Sequence, residues 1–570
     1  MNKGEVCSSA GLIRTRHTSC VSESDVPQGQ DSLGEFLGFI ISTIRDRVSP
    51  QTAVNTPHTH QTSDLTFILR NLIMPDILVT DQDVTDGVGS HSNPERFLGQ
   101  NYKELWRDFV KHKARFLDDK FPPNESSIGE GLLSDAELAK VEWIRPTKMV
   151  PDPHLVVGGE SRFDLAQGEL GNCWFLAAIG AITFQQKIMD QIIPEGQSFR
   201  KDYAGIFHFR FFRFGKWVDV VIDDKLPTID GQLIFVHCKT RNEFWPALLE
   251  KAYAKVCGSY ADLHGGLISE ALCDFTGGVY ITLRLKADHP EHWALLHRAE
   301  TYRSCMGCGS KAGATSANTE LPNGIVEGHA YTVTGVTKVM SEGESVKLVR
   351  LWNPWGHKEW NGDWSDRSPL WGSVNPKERT KFLHSKDDGE FWMSVEDFCK
   401  NFANVDICCP NPAFLDGSSE RSWTVTAYEG QWDEKTAGGS MENKQTFWKN
   451  PQYQVNISAV ETDRAEAQGF NLLVTLVQKP NSRHRHHVQY HHIGLSVFAV
   501  PPDLKDQKVF SAAFFSSSTP VAQSKDLSTS REVMEFLRLK PGRYLVVPFT
   551  YKPKETGSFV LTLYSKIKSN

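Results

Sequence analysis

A cysteine at the start of a predicted helix is the residue of this sequence best suited to nucleophilic chemistry. Cys173 follows a Gly-containing turn at 167–172 and opens an apolar run at 174–182. The first N–H groups of a helix are unpaired and carry the positive end of its dipole, so they favour thiolate over thiol. Gln167 can place a side-chain N–H beside the backbone N–H of Cys173, which would make a two-donor oxyanion hole. The alternative is an inert core thiol, one of eleven cysteines.

A histidine and an asparagine further along the chain complete the set that a thiol nucleophile needs, a base and a group that orients it. His329 lies in a Gly-His-Ala step that starts a β-rich run, and Asn353 lies in an Asn-Pro-Trp step between tryptophans. His329 would accept the thiol proton and later protonate a leaving amine, while Asn353 would hold the other imidazole nitrogen. Trp355 would shield that hydrogen bond from water. The ordered set predicts acyl transfer by a cysteine.

At these motifs the chain resembles the calpains, the calcium-dependent intracellular cysteine proteases. The strongest similarity lies at 167–178, 203–209, 244–255, 328–335, 353–364 and 388–394, within a weaker match over about 96–568. The resemblance implies four catalytic residues, namely Cys173 as nucleophile, His329 as base and acid, Asn353 as orienter and Gln167 as oxyanion donor. It also implies an α+β fold, with a papain-like two-lobed cysteine protease core followed by an antiparallel β-sandwich.

The resemblance further implies two calcium ions, one in each lobe of the protease core. The first would be held by the side chains of Asp164 and Glu243 and the backbone carbonyls of Val157 and Gly159. The second would be held by the side chains of Glu359, Asp366, Asp388 and Glu390 and a carbonyl near Lys386. Oxygen donors of this kind suit calcium, although acidic residues in loops are ordinarily just solvated. Asp164 lies in the loop that carries Gln167, so metal binding could set the active-site loops directly.

The expected function is that of a calcium-regulated cysteine endopeptidase, which cuts intracellular proteins at unstructured segments through an acyl-enzyme intermediate. One alternative is a catalytically silent, calpain-like scaffold or binding protein. Another is a transglutaminase, which also uses Cys-Trp at a helix start but orients its histidine with aspartate. No EF-hand loop follows residue 500. We therefore expect a shortened form, or a calpain branch without the penta-EF-hand domain, and no pairing with a small subunit.

The length of 570 residues predicts three or four domains. We expect a mostly disordered extension at 1–95, a first lobe with the nucleophile at 96–275, a second lobe with the histidine and asparagine at 276–412, a linker at 413–422 and the β-sandwich at 423–570. Within the extension, a capping box at Ser32 and helical spacing of apolar residues predict an amphipathic helix at about 33–48, docked on the body of the protein.

The elements that must position the chemistry follow from apolar patterning and turn residues. In the first lobe we predict a helix beginning at Cys173, strands at 206–212 and 217–223 joined at Gly215, and a helix after Phe244 with Pro246 in its first turn. For the sandwich we predict strands at 423–428, 453–460, 470–478, 493–500, 510–515, 543–551 and 558–564. Nucleophile and base then lie on opposite lobes, so moving one lobe would open or close the cleft.

The composition of the chain limits which partners and which cellular compartment we expect. The net charge of −7 gives no basic footprint for nucleic acid. The sequence has neither a signal peptide nor an apolar run of membrane-spanning length, and its cysteines are unevenly spaced, which predicts a cytoplasmic location. A histidine-rich basic loop at 483–492 could contact acidic phospholipid weakly, pack on the protease core, or simply be solvated.

Overall fold

The computed structural model describes residues 87–286, 291–313, 318–415, 417, 423–457, 470–524 and 529–566. The helix predicted at 33–48 lies outside these residues. So does most of the predicted linker, and both therefore stay predictions. None of the described helices is both long and apolar enough to cross a bilayer.

The first lobe is built around one fully buried helix, Cys173–Ile182, which we call the central helix. Every one of its residues is buried, as expected for a helix that is apolar on all sides. It packs with the hairpin of strands Ile206–Arg213 and Lys216–Asp223 and with the helices Trp245–Cys257 and Ile268–Thr276. The central helix, the hairpin and the helix after Phe244 were all predicted, and the structure confirms them.

The remaining elements of the first lobe are short. Its other helices are Tyr102–Lys111, Glu125–Ile128, Asp135–Leu138, Pro146–Met149 and Gln186–Ile192. Its other strands are Glu95–Arg96, Glu142–Ile144, Leu165–Ala166, Leu226–Ile229, Gln232–Leu233 and His237–Cys238. Two of these strands, Leu165–Ala166 and His237–Cys238, pair antiparallel and fix the loop that leads to the central helix.

The second lobe is a six-stranded antiparallel sheet. Its strands lie in the order Glu390–Ser394, Glu344–Trp352, Ala330–Ser341, Cys305–Ser310, Phe402–Cys409 and Val279–Arg284. Its helices are Glu291–Thr301, Pro376–Phe382 and Val395–Asn401. Thr332 and Trp352 are register partners on neighbouring strands. Since His329 precedes one strand and Asn353 follows the other, the antiparallel pairing brings them to the same edge of the sheet.

The two lobes pack directly on each other. The Thr332 hydroxyl, on the second-lobe sheet, donates a 2.7 Å hydrogen bond to the carbonyl of Ala177 on the central helix. A Cβ added at Gly180 would lie 2.5 Å from that hydroxyl oxygen and 3.0 Å from the ring of Trp352. Only glycine therefore allows the helix to approach the sheet this closely. Cys173, Ala330 and Trp352 belong to one continuous hydrophobic core.

The C-terminal domain is the predicted antiparallel β-sandwich. One sheet has the strand order Trp423–Trp432, Gly557–Lys566, Leu472–Lys479 and Glu532–Leu537. The other has the order Tyr453–Ile457, Gly542–Thr550, Ile493–Ala499 and Ala522–Gln523. Apolar side chains of both sheets fill the space between them, among them Val474, Leu561 and Val546.

The strand predicted at 510–515 is wrong. Residues Ala512–Ser517 form a helix, and Phe510, Phe514 and Phe515 join a cluster with Phe447 and Phe498. A short apolar run does not by itself distinguish a strand from a buried helix. The strand Glu532–Leu537 was not predicted, because its two glutamates interrupt the apolar pattern.

The basic loop at 483–487 packs on the first lobe. Nδ1 of His484 lies 2.9 Å from a carboxylate oxygen of Asp262, and Arg485 donates to Glu270 at 3.1 Å. The guanidinium of Arg485 also lies 5.1 Å from the centre of the Trp174 ring. Of the three possibilities considered for this loop, the structure contains the contact with the protease core.

Candidate active site

Cys173 begins the central helix and is completely buried. Asn172 precedes the helix and makes no capping hydrogen bond with its side chain, and its amide nitrogen donates to Glu250 at 2.6 Å. The preceding turn is tight: a Cβ at Gly168 would overlap the carbonyl oxygens of Ile234 and Phe235. The turn therefore holds the sulfur where the helix dipole favours a thiolate.

Gln167, the predicted oxyanion donor, lies in this turn. Its Nε2 donates to the carbonyl of Leu170 at 2.8 Å, which fixes the direction of the amide. Its Oε1 is buried and has no hydrogen-bond partner among the described residues. An amide nitrogen carries two hydrogens, so the bond to Leu170 occupies one donor of the two.

His329 and Asn353 are both completely buried and bonded to each other. Nε2 of His329 lies 2.8 Å from Oδ1 of Asn353. The amide of Asn353 donates to the carbonyls of His357 at 2.8 Å and Lys358 at 3.1 Å, which identifies Oδ1 as the acceptor facing the imidazole. Nε2 of His329 therefore carries the proton. Nδ1 is left as the basic nitrogen, buried and without a hydrogen-bond partner among the described residues.

Aromatic rings enclose this histidine. The Trp355 ring centre lies 4.6 Å from that of His329, and the Tyr331 ring meets the imidazole edge-on at 5.0 Å. Burial lowers the pKa of His329 to about 4, against the opposing effect of its hydrogen bond to Asn353. The imidazole is thus neutral at physiological pH, the state that a base must have before it accepts a proton.

The first predicted metal set comes together, with one addition. Ligand atoms of Asp164, Glu243 and Cys238 all lie within 4.8 Å of one another. Val157 reaches the set through its N–H, which donates to Glu243 at 2.9 Å, and Gly159 lies two residues further along the same loop. Burial raises the pKa of both carboxyl groups, and the pKa of Glu243 is raised further by Asp164. A cation would relieve that repulsion, so the oxygen donors fit the predicted calcium.

Sequence reasoning missed Cys238. It is the register partner of Leu165, and this pairing places its thiol beside Asp164. Two strands of two residues each leave no periodic signal in a sequence, so the pairing could not be predicted.

The second predicted set is more open. Glu359 accepts from the N–H groups of Asp388 at 3.1 Å and Gly389 at 2.8 Å, and Asp366 accepts from that of Lys386 at 3.1 Å. Burial, with smaller effects from neighbouring carboxylates, raises the pKa of Glu359 to about 7 and of Asp366 to about 6. Within the described part of the chain, these carboxylates do not form a three-residue cluster as tight as the first set. Their mutual repulsion nevertheless suits a site for a cation.

Glu390, the remaining member of the second set, is engaged by an arginine of the first lobe. Arg162 donates from Nη2 to both carboxylate oxygens at 2.8 and 3.0 Å, and from Nε to Oε1 at 3.1 Å. Both side chains are largely buried. Arg162 lies two residues before Asp164, so this pair ties the loop of the first metal set to the second lobe. Sequence reasoning missed it, because nothing local marks a partner 228 residues away.

Comparison with known proteins covers most of the chain. Residues 116–409 match the family described as calpain family cysteine protease, and residues 428–564 match calpain large subunit, domain III. The calpain-2 catalytic subunit of Homo sapiens is 38% identical over 501 residues, which is 86% of this chain and 72% of that protein. The calpain-1 catalytic subunit of Rattus norvegicus is 41% identical over 493 residues, which is 85% of this chain and 69% of that protein.

Among solved structures, a triple jelly roll protein from an archaeal virus turret aligns over 52% of this chain and 57% of its own, at 10% identity. Its TM-score of 0.12 is too low to support any statement about fold. The two family matches lie on the two-lobed core and on the β-sandwich, which confirms the predicted α+β architecture. With relatives this similar over most of its length, the chain belongs to the calpain family of cysteine proteases.

Proposed function

We propose that this protein is a calcium-regulated endopeptidase that performs limited proteolysis with Cys173, His329, Asn353 and Gln167. One observation carries the assignment of the base. Asn353 fixes the imidazole of His329 through Nε2 at 2.8 Å and leaves Nδ1 as a buried, unpaired base. The fully buried Cys173 shares a hydrophobic core with Ala330, the residue next to His329.

Acylation would proceed by proton transfer and attack. Nδ1 of His329 takes the proton of the Cys173 thiol, and the sulfur forms a bond to the scissile carbonyl carbon. The oxyanion accepts hydrogen bonds from the Cys173 backbone N–H and from Gln167. The imidazolium then protonates the leaving amine as the C–N bond breaks, which leaves a thioester on Cys173. Water, deprotonated by His329, hydrolyses the thioester and restores the thiol.

Asn353 and Trp355 keep the imidazole of His329 in one tautomer. The acceptor Oδ1 of Asn353 selects the tautomer with the proton on Nε2, and Trp355 covers the ring, at 4.6 Å between ring centres. A buried hydrogen bond of this kind is protected from competition by water.

The predicted metal ligands are carboxylate and carbonyl oxygens, which suit calcium. Asp164 and Glu243 with the carbonyls of Val157 and Gly159 would hold one ion, and Glu359, Asp366, Asp388 and Glu390 with the carbonyl of Lys386 would hold the other. When bound, calcium would neutralise buried carboxylates and fix the loops that bear them. The loop that carries Asp164 also carries Gln167 and Arg162. Ordering that loop would therefore set the oxyanion donor and the contact between lobes together.

The substrate class and the cellular compartment are the remaining parts of the proposal. As a member of a protease family the chain acts on proteins, and we propose that it takes unstructured segments, because a cleft between two lobes admits an extended chain. No disulfide joins the nine cysteines of the described residues, which supports a reducing compartment such as the cytoplasm. Weak phospholipid contact by the basic loop would require it to leave its partners Asp262 and Glu270.

Casein hydrolysis tests the proposal. The wild-type chain should cleave casein as calcium is added, and both Cys173→Ser and treatment with a thiol alkylator should abolish cleavage. Equal cleavage by the serine variant would refute the nucleophile. A folded wild-type chain that cleaves casein at no calcium concentration would favour the silent scaffold instead.

A further inference from the structure

A thiol faces the first metal set from a strand that contributes no predicted ligand. Sγ of Cys238 donates to Oε2 of Glu243 at 3.3 Å, and one oxygen of Asp164 completes a triangle with sides under 4.8 Å. Cys238 is 6% exposed and Glu243 is 3% exposed, so two of the three side chains are shielded from bulk water. Sulfur and carboxylate oxygen at these separations can share one small cation.

The backbone holds these three side chains in place. Leu165 pairs with Cys238 across two short antiparallel strands, and the N–H of Lys239 donates to the carbonyl of Asp164 at 2.9 Å. Glu243 precedes the helix Trp245–Cys257, and its Oε1 accepts the N–H of Val157 at 2.9 Å. The arrangement is therefore built by secondary structure on both sides rather than by mobile surface side chains.

A second observation marks this place as a ligand site. The indole N–H of Trp245 is fully buried, and no acceptor among the described residues lies at full hydrogen-bond geometry. It is directed at the carboxyl groups of Asp164 and Glu243 as a weak hydrogen-bond donor, and against the dominant effect of burial it acts to lower the pKa of both. A buried donor ordinarily makes a complete hydrogen bond, so a donor that is only loosely engaged here leaves the carboxylate oxygens available to a cation.

We propose that Asp164, Cys238 and Glu243 form a mixed sulfur–oxygen site that binds zinc, in competition with the calcium of the proposed function. Calcium prefers six to eight oxygen ligands, whereas a thiolate is a strong ligand for zinc. Three protein ligands and one water would complete the four-coordinate geometry that zinc favours. Binding replaces the S–H bond by a sulfur–zinc bond and releases one proton to solvent. Zinc binding itself does not depend on the proposed calcium regulation, but its predicted effect on activity does.

The consequence concerns the loop of Asp164 and Gln167. Zinc–ligand distances are about 2.0–2.3 Å, shorter than the about 2.3–2.6 Å of calcium. A zinc-loaded site would draw Asp164 and Glu243 toward Cys238 and would leave the carbonyls of Val157 and Gly159 without a cation. The protease should then be inhibited by zinc, and added calcium should relieve the inhibition.

Cobalt absorption tests the site directly. The full chain carrying Cys173→Ala removes the proposed nucleophile as a competing thiol. Added Co²⁺ should give a near-ultraviolet sulfur-to-cobalt charge-transfer band, which added zinc or excess calcium should displace. Cys173→Ala/Cys238→Ser should lose the band and weaken cobalt binding about tenfold or more, since even outer-shell changes cost that much. Cys173→Ala/Cys399→Ser is the matched control: Cys399 is also buried and lies 3.9 Å from His292, and its loss should leave the band intact.

The outcomes separate the two proposals. A charge-transfer band that survives Cys238→Ser, or none in the folded Cys173→Ala chain, would overturn the zinc site. The serine keeps an oxygen in place of sulfur, so calcium should still raise the thermal stability of that variant. If calcium stabilises none of the variants while the Cys238-dependent band is present, the calcium proposal fails and the zinc site stands.

Discussion

Asn353 is bonded on both sides of its amide, which makes Asn353→Asp an informative change. Oδ1 lies 2.8 Å from Nε2 of His329 and accepts the N–H of Trp355 at 3.1 Å. Nδ2 donates to the carbonyls of His357 at 2.8 Å and Lys358 at 3.1 Å. An aspartate keeps the acceptor facing the imidazole, but it turns a second oxygen toward two carbonyl oxygens. Two hydrogen bonds become two repulsive contacts.

The size of the effect follows from those contacts. Each lost hydrogen bond costs about 0.5–1.5 kcal/mol, and a buried group left unpaired costs about 1–3 kcal/mol. Because Asn353 is completely buried, we expect the variant to lose about 2–4 kcal/mol of unfolding free energy. The new negative charge should also raise the pKa of His329 above its value of about 4. Misplacing the base by about 1 Å can cost about 100-fold in rate, so kcat/KM should fall about 10–100-fold.

Urea unfolding and a pH profile of peptide hydrolysis measure both effects. The acidic limb of kcat/KM should move to higher pH in Asn353→Asp, because His329 must lose its proton to act as a base. Asn361→Asp is the matched control, since its amide donates to the Pro322 carbonyl at 2.8 Å at an exposed position. It should behave like the wild type. An Asn353→Asp variant with wild-type stability and an unshifted limb would refute the orienting role.

Two further predictions concern the contact between lobes and the titration of the base. Arg162→Ala removes the bidentate pair with Glu390, but Arg350, 3.6 Å away, still compensates that carboxylate in part. We therefore expect a loss of about 1–2 kcal/mol in lobe closure, which should raise the calcium needed for half-maximal casein cleavage about 5–30-fold. Arg200→Ala, which breaks the exposed pair with Asp152, should leave the titration unchanged, and an equal shift in both variants would contradict the reasoning. His329 should make the free energy of unfolding pH-dependent. Its imidazole has the ordinary pKa of 6.5 in the unfolded chain, whereas burial lowers this pKa to about 4 in the folded protein. Stability should then fall as the pH drops from 6.5 toward 4, by roughly 3 kcal/mol. His329→Gln should flatten this part of the urea-midpoint curve, and identical curves would count against a buried neutral His329.

The elements that the sequence predicts correctly are those with a strong local signal. The central helix is apolar throughout and begins after a glycine turn, and the hairpin at 206–223 alternates around Gly215. The error at 510–515 has the opposite cause. Phe510 and Phe514 are four residues apart, and only tertiary contact with Phe447 and Phe498 selects the helix. The roles of Cys173, His329, Asn353 and Gln167 remain predictions that the experiments above address.

The contacts that the sequence does not predict join residues far apart in the chain. Arg162 and Glu390 are 228 residues apart, and His484 and Asp262 are 222 residues apart. Each pair depends on how whole domains pack, and ordinary surface charges are usually solvated, so charge alone does not indicate a partner. The same limit concealed Cys238. Its two-residue strand has no periodicity, and its importance appears only when Leu165 is seen opposite it.

The loop before the central helix would couple the proposed metal binding and the proposed catalysis to the packing of the two lobes. Within six residues it carries Arg162, which bonds to the second lobe, Asp164, which lies in the metal set, and Gln167, which lies in the active-site turn. The short strand Leu165–Ala166 joins these positions, so a displacement at one of them must move the others. In the proposed regulation, closure would therefore need no long pathway through the core. A cation that fixes Asp164 would also fix its neighbours, and a shorter-bonded cation drawn toward Cys238 would misplace the same segment.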